Sequence, residues 1–300
     1  DTNKAYGDYA TVAGGSNLYV SGDHATAGGG VTNTVTGDYA VVGGGTDNSV
    51  NGTSATVVGG YDNWATRDFA TIVGGTGNLA QREYSTVGGG GGNLAQSRVS
   101  TIVGGASNSA VGIKSTIIGG YSNTITGDYA TVAGGYDNVA SVTESNVGGG
   151  YANKVFSNYG AIGGGFKNVV SGRFSSVLGG SRNTAKGRFS LAAGFAAIAN
   201  QDYSAAFGFD PSKQCVTDDP NEVAFCCDIF TINGADVFDM SRRRLEVSES
   251  MQKSSDENAK VIDSLLAKAH EHEKQVADGD ARLAKLHSVA DRLLKIASAK

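Results

Sequence analysis

The nine residues GDYATVAGG stand at positions 7–15 and recur unchanged at 127–135, a displacement of 120 residues, or eight periods of fifteen. The period holds throughout the segment up to Gly187. Gly-Gly pairs fall at 14–15, 29–30, 44–45, 59–60, 74–75, 89–90, 104–105, 119–120, 134–135, 149–150, 164–165 and 179–180. Asparagine fills one column without exception: Asn33, Asn48, Asn63, Asn78, Asn93, Asn108, Asn123, Asn138, Asn153, Asn168 and Asn183. No insertion interrupts this run. So strict a clock predicts a solenoid in which each repeat is one coil.

Composition says what the coils are made of. Glycine supplies 45 of the 300 residues, yet proline supplies two, Pro211 and Pro220, and charged residues only 18%. Gly-rich disordered chains carry proline and charge and lack β-branched residues. Here Val, Ile and Thr are abundant, and the absence of proline before Pro211 suits a continuous ladder, to which proline cannot donate. The prediction is an ordered, mainly β protein.

Each coil reads as two short strands. The first, such as Ser115-Thr116-Ile117-Ile118, ends at the Gly pair, where the chain needs positive φ or close packing. The second, such as Asn123-Thr124-Ile125-Thr126, alternates with period two: Val35, Val50, Ile125 and Val170 inward, Thr36, Gln81 and Lys186 outward. The first strand differs. Its Val12 column is Val, Ile or Ala throughout, and the adjacent column holds Val58, Val73, Val103, Ile118 and Leu178. Adjacent residues point to opposite faces, so both faces are apolar or small. One packs inside the coil. The other predicts an inter-chain face, most simply in a cyclic homo-oligomer; a locally exposed apolar strip is the alternative.

The Asn column is read as structural. Stacked coils place identical amides about 4.8 Å apart, and an internal ladder satisfies turn backbone groups and neighbouring amides. A catalytic role calls for one unusual residue, not eleven equivalent ones.

At this point the sequence resembles the head repeats of trimeric autotransporter adhesins, the YadA-like head. Their pattern is Ser-x-x-x-Gly-x-x-Ala-x-Ala-x-Gly-x-x-Ser, and Ser190, Gly194, Ala197, Ala199 and Ser204 fall at its spacing, with Gln201 in place of the second Gly. The earlier coils, as in STIIGGYSNTITGDYA, carry one extra residue, like the fifteen-residue variant of bacterial surface and tail-fibre-type proteins. The resemblance covers roughly residues 7–209. It implies a left-handed parallel β-roll assembled as a homotrimer, with adhesion as the function. It does not extend to an outer-membrane β-barrel anchor.

Beyond the roll, expected to occupy residues 1–209, the stretch 210–244 reads as a connector and small neck. DPSKQCVTDDPNE brings both prolines, and VAFCCDIFTINGADVF predicts a hairpin turning at Asn233-Gly234. Cys215, Cys226 and Cys227 match no zinc spacing. In a trimer they are candidates for an interchain disulfide, the alternative being reduced, half-buried thiols. From 245 to 300 helix formers replace glycine. Ile262, Leu265, Ala269, His272, Val276, Gly279, Leu283, Leu286, Ala290, Leu293 and Ala297 alternate spacings of three and four, a coiled-coil seam. A helical hairpin breaking at Gly279 competes with one long helix.

Several chemistries are set aside. GGGGG at 88–92 lacks the Gly-Lys-Ser/Thr ending of a phosphate loop. His270 and His272 diverge on a helix, so they make a poor metal pair, and His272 on the seam could instead titrate with pH. The Asp8, Asp38 and Asp128 turns lack a calcium-repeat pattern and read as solvated acids. Neither a Ser-His-Asp nor a Cys-His arrangement stands out, so no enzyme, cofactor or metal site is predicted. A net charge of −5 lacks the basic footprint of nucleic-acid binding. No apolar run approaches the ~18 residues of a membrane helix. No secretory leader is visible at Asp1, which fits a cytosolic protein or a processed chain.

The aromatic column Tyr9, Tyr39, Phe69, Tyr84, Tyr129, Tyr159, Phe174, Phe189 and Tyr203 is a binding ridge if exposed and an interface if covered. Asn51 heads an Asn-Gly-Thr sequon, a possible glycosylation site. The expectation is an extracellular or cell-surface trimeric fibre that attaches to a host or matrix ligand. A subunit polymerising into a filament is the alternative, and an ice-binding solenoid, suggested by the Thr column from Thr11 to Thr131, a weaker one.

Overall fold

The computed structural model describes residues 2–227, and the backbone of two further strands, Ile229–Ile232 and Ala235–Asp239. Residues through Cys227 form one unit, and it is a parallel β-solenoid of about fifteen turns. Two sheets of fifteen strands each run along it. Every coil contributes one strand to each, from Lys4–Ala5 and Thr11–Val12 to Cys215–Val216 and Val223–Cys226. Among the described residues no helix is present.

Most strands are two residues long, too short to hold together by themselves. The repeat supplies what length does not: Thr116 pairs with Thr131 and Ile117 with Val132, fifteen residues on, so like sits on like. The ladder continues past the strand ends, with Thr116 N–H on the Ala130 carbonyl at 3.0 Å and Ile118 N–H on Val132 at 3.1 Å.

The core is one side chain thick from each wall. In the first sheet Val35, Val50, Ala65, Ala80, Ala95, Ala110 and Ile125 are fully buried; in the second so are Val42, Val57, Ile72, Val87, Ile102, Ile117 and Val132. In four successive coils a small residue faces a larger one, Ala65 with Ile72, Ala80 with Val87, Ala95 with Ile102 and Ala110 with Ile117. Val35 with Val42, Val50 with Val57 and Ile125 with Val132 instead fill their layers from both walls. The predicted inward and outward residues of the second strand of each coil stand as read.

Both turns of each coil use left-handed residues, one at the aromatic-column turn and two at the Gly-pair turn, and these are often not glycine. Tyr39, Phe69, Tyr129 and Phe174 have φ of 57–59°, and Asp47, Asp62, Ser107 and Ser122 have φ of 54–56°. That backbone costs about 1–2 kcal/mol for a residue with a Cβ. Hydrogen bonding back to the preceding coil offsets it: Tyr39 N–H reaches the Asp23 carbonyl and Thr32 N–H the Ser16 carbonyl, at 2.8 and 2.9 Å.

The clock then changes. Leu191 pairs with Ala205 and Gly194 with Gly208, fourteen residues on. The last coil pairs Ala197 with Cys215 and Ala205 with Val223, eighteen on. The extra residues lie in the turn holding Pro211, where Asp210 receives the Ser212 hydroxyl at 2.6 Å and its N–H at 2.8 Å. Those two hydrogen bonds, helped by Lys213, hold the Asp210 carboxyl below the usual carboxylate value.

Two expectations about residues 210–244 are therefore corrected. The roll does not stop at 209, because both sheets run on to Val216 and Cys226. A hairpin does flank Asn233-Gly234, with Ile229–Ile232 antiparallel to Ala235–Asp239. Val223–Cys226, however, belongs to the solenoid: its alternation satisfies one more parallel rung beside Ala205–Gly208.

Candidate interaction surface

The Asn column is internal. All eleven asparagines from Asn33 to Asn183 are fully buried. Asn48 is typical: its Nδ2 donates to the Gly44 and Gly60 carbonyls at 3.1 and 2.9 Å, and its N–H donates to Asn33 Oδ1 at 2.9 Å. The amide thus ties the Gly-pair turn of its own coil to that of the next. Asn3 extends the ladder at one end, accepting the Leu18 N–H, while Leu18 itself is an apolar rung.

This explains one glycine of each pair. Gly45 has φ +89°, and a Cβ there would sit 2.2 Å from the Gly60 carbonyl oxygen and 2.7 Å from Asn48 Nδ2. Gly44 meets nothing within 4 Å. The second glycine makes room for the ladder; the structure shows no steric need for the first.

The turn aspartates are not simply solvated. Asp23 Oδ1 accepts the Asp8 N–H, Asp38 the Asp23 N–H, Asp68 the Thr53 N–H and Asp128 the Ile113 N–H, at 2.8–3.0 Å. Each carboxylate caps the coil before it. The signal was present in the sequence as a periodic Asp before the aromatic column.

Three apolar surfaces stand out among the solvent-facing residues. The first is the outer side of the second sheet. Val58, Val73, Val103, Ile118 and Leu178 are 52–61% exposed, while their neighbours Val57, Ile72, Ile102, Ile117 and Val177 are buried. The same face carries the half-buried Thr56, Thr71, Thr86, Thr101, Thr116 and Thr131. The threonines are paired with an apolar column, not with a second threonine column.

The second face is aromatic. Tyr159, Phe174, Phe189 and Tyr203 stack in series with centroids 4.6–5.3 Å apart. Tyr9, His24 and Tyr39 do the same, as do Phe69 and Tyr84. Stacking covers the ring faces and leaves edges and hydroxyls outward. A separate ladder, Tyr121, Tyr136, Tyr151 and Phe166, follows the Gly pairs and was not anticipated. Its signal was the period itself, one residue after each pair.

The cysteines require a correction. Cys215 and Cys226 are bonded to each other within one chain, their Cα atoms 5.4 Å apart, and Cys227 is free. Rungs on neighbouring walls of the last coil bring the two together, which a linear spacing does not reveal. An interchain bond is left only to Cys227. Asn51 is exposed, and its Oδ1 accepts the Thr36 and Ser49 hydroxyls at 3.0 and 3.2 Å. The seam residues Ile262, Leu265, Val276, Leu283, Leu286 and Leu293 lie outside the described residues. Among the described residues no group of His, Cys, Asp and Glu is placed to hold a metal ion, and no helix is long and apolar enough to cross a membrane.

The class these features define is a parallel β-solenoid repeat protein. No protein-family model matches the chain, and no curated protein matches its sequence.

Proposed function

We propose that the chain is a non-enzymatic structural protein that acts outside the cell as a homotrimer, with the solenoid as an adhesive head or stalk. The carrying observation is the row of Val58, Val73, Val103, Ile118 and Leu178, more than half exposed in one chain. Burying such a row against copies of itself removes apolar surface from water at about 25 cal/mol per Å². The glycines between them, such as Gly88 and Gly148, leave no side chain to hold a neighbour off. The likeness to YadA-like head repeats supplies the stoichiometry of three, the left-handed winding and the adhesive role. On this reading the segment from 245 onward is the helical coiled coil that fastens the chains.

Light scattering on the full chain across a range of concentrations, with and without reductant, tests it. A constant mass near three chains supports the trimer, and a monomer overturns it. Mass growing with concentration favours a filament subunit. Replacing Val103 and Ile118 together by Lys adds a test of the face. The double variant loses solenoid stability if the row is covered and stays within about 0.5 kcal/mol if it faces water. The adhesive part fails if the intact trimer binds neither matrix proteins nor cell-surface glycans in a surface-retention assay.

A further inference from the structure

The aromatic ladder lacks one rung at a place where the gap is chemically distinctive. Its column runs Lys114, Tyr129, Glu144, Tyr159, Phe174. Lys114 Nζ lies 5.1 Å from the Tyr129 ring centre, and Phe174 stacks on Tyr159 at 4.6 Å. Each tyrosine therefore has its far face occupied. The near faces look toward each other across the Glu144 coil, and Tyr129, Glu144, Asn146 and Tyr159 line a surface recess of about 500 Å³. Glu144 and Asn146 are both exposed, and Glu144 makes no ion pair among the described residues. Asn146 replaces the usual threonine of its column, and its Nδ2 donates to the Glu144 carbonyl at 3.1 Å.

We propose that this recess binds an organic cation of the alkylammonium class. Adjacent rungs of the ladder stand 4.6–5.3 Å apart, so the two tyrosines are about 10 Å apart across two strand spacings. A cation midway lies about 5 Å from both ring centres, inside the ~6 Å reach of a cation–π contact. The carboxylate of Glu144 adds the matching charge between them. A neutral ring could also complete the stack, but only a cation uses the acid. The chain already seats its own cations on this column: Arg173 lies 4.8 Å from the Phe174 centre and Arg188 5.7 Å from that of Phe189. The recess is complete within one chain, so the inference does not depend on the trimer.

Titration of the full-length protein with choline, read by the ring resonances of Tyr129 and Tyr159, tests this directly. The expected result is a saturable shift at both rings, with 3,3-dimethylbutan-1-ol, the neutral isostere, at least about tenfold weaker. Glu144→Gln should weaken choline by about tenfold, equivalent to ~1.4 kcal/mol. Glu144→Tyr should abolish binding by filling the rung. Ser54, the other single-rung gap, lies between Tyr39 and Phe69, so Ser54→Glu should create a second site. Absence of a saturable shift, equal response to the isostere, or unchanged affinity in Glu144→Gln overturns the proposal. A trimethyllysine peptide binding more tightly than choline identifies the source as a protein side chain; the reverse identifies a free solute.

Discussion

The backbone N–H and the Nδ2 of Asn123 both donate to the Oδ1 of Asn108, at 3.0 and 3.1 Å, inside a fully buried column. Asn108 Nδ2 in turn serves the Gly104 and Gly120 carbonyls at 3.2 and 3.0 Å. With Asn108 Nδ2 also 3.0 Å from Asn93 Oδ1, one amide touches groups in three successive coils. Asn108→Leu should leave two backbone groups without partners, the Asn123 N–H and the Gly104 carbonyl, and cost about 2 kcal/mol, roughly one for each. The Gly120 carbonyl still accepts the Ala106 N–H at 2.9 Å. Asn108→Asp should cost more, because it keeps the acceptor, loses both donors and places a charge beside carbonyl oxygens. Denaturant midpoints give the magnitude. Hydrogen exchange should show the loss centred on these coils, since a solenoid contacts only its neighbours.

The two glycines of a pair should respond oppositely. Gly105 has φ +89°, and a Cβ there would stand 2.1 Å from the Gly120 oxygen and 2.7 Å from Asn108 Nδ2. Gly105→Ala should destabilise by more than about 3 kcal/mol, since backbone strain and a displaced buried amide combine. Nothing lies within 4 Å of a Cβ at Gly104. Gly104→Ala should stay within about 0.5 kcal/mol of the parent. Equal effects would contradict the assignment of separate roles.

Buried serines of one column separate in the same way. Ser115 Oγ donates to the Gly112 carbonyl at 2.7 Å and Ser145 Oγ to Val142 at 2.6 Å. Ser190 Oγ is buried and has no partner. Alanine is at home in this column, as Ala40, Ala55 and Ala130 are fully buried there. Ser115→Ala should cost about 1 kcal/mol, while Ser190→Ala should be neutral or stabilising. Thermal unfolding of the two variants side by side decides it.

The period made the register legible because each strand of a solenoid pairs with its counterpart one repeat away: Ser109 with Thr124, Thr116 with Thr131. The burial of Asn108 followed from the same argument. What the period could not convey is how each turn is closed. That Tyr129 and Phe174 adopt a left-handed backbone depends on hydrogen bonds to the coil before, to the Ile113 and Asn158 carbonyls, and an aromatic residue carries no local signal for that conformation. The last coil was misplaced for a different reason. Extra residues between Gly208 and Cys215 break the clock, so the prolines read as a linker although the strands resume beyond them.

The same coil supplies the last prediction. Cys215 takes the rung after Ala197 in one sheet, and Cys226 the rung after Gly208 in the other. Their bond closes the last coil across its interior, with a sequence separation of 11. A loop of this size is worth about 3 kcal/mol in the chain-entropy account, and here it ties together the last strand of each sheet. Of three cysteines in the chain, only Cys227 is free. Thiol titration of the unreduced, unfolded protein should therefore count one thiol per chain, rising to three after reduction. Cys215→Ser with Cys226→Ser should speed exchange at Val216 and Val223–Cys226 while leaving the coils around Asn108 protected. A count of zero would mean that Cys227 is also bonded, and only between chains. Covalent oligomers surviving in a Cys227→Ser variant would show instead that Cys215 and Cys226 pair across chains, against the intrachain bond.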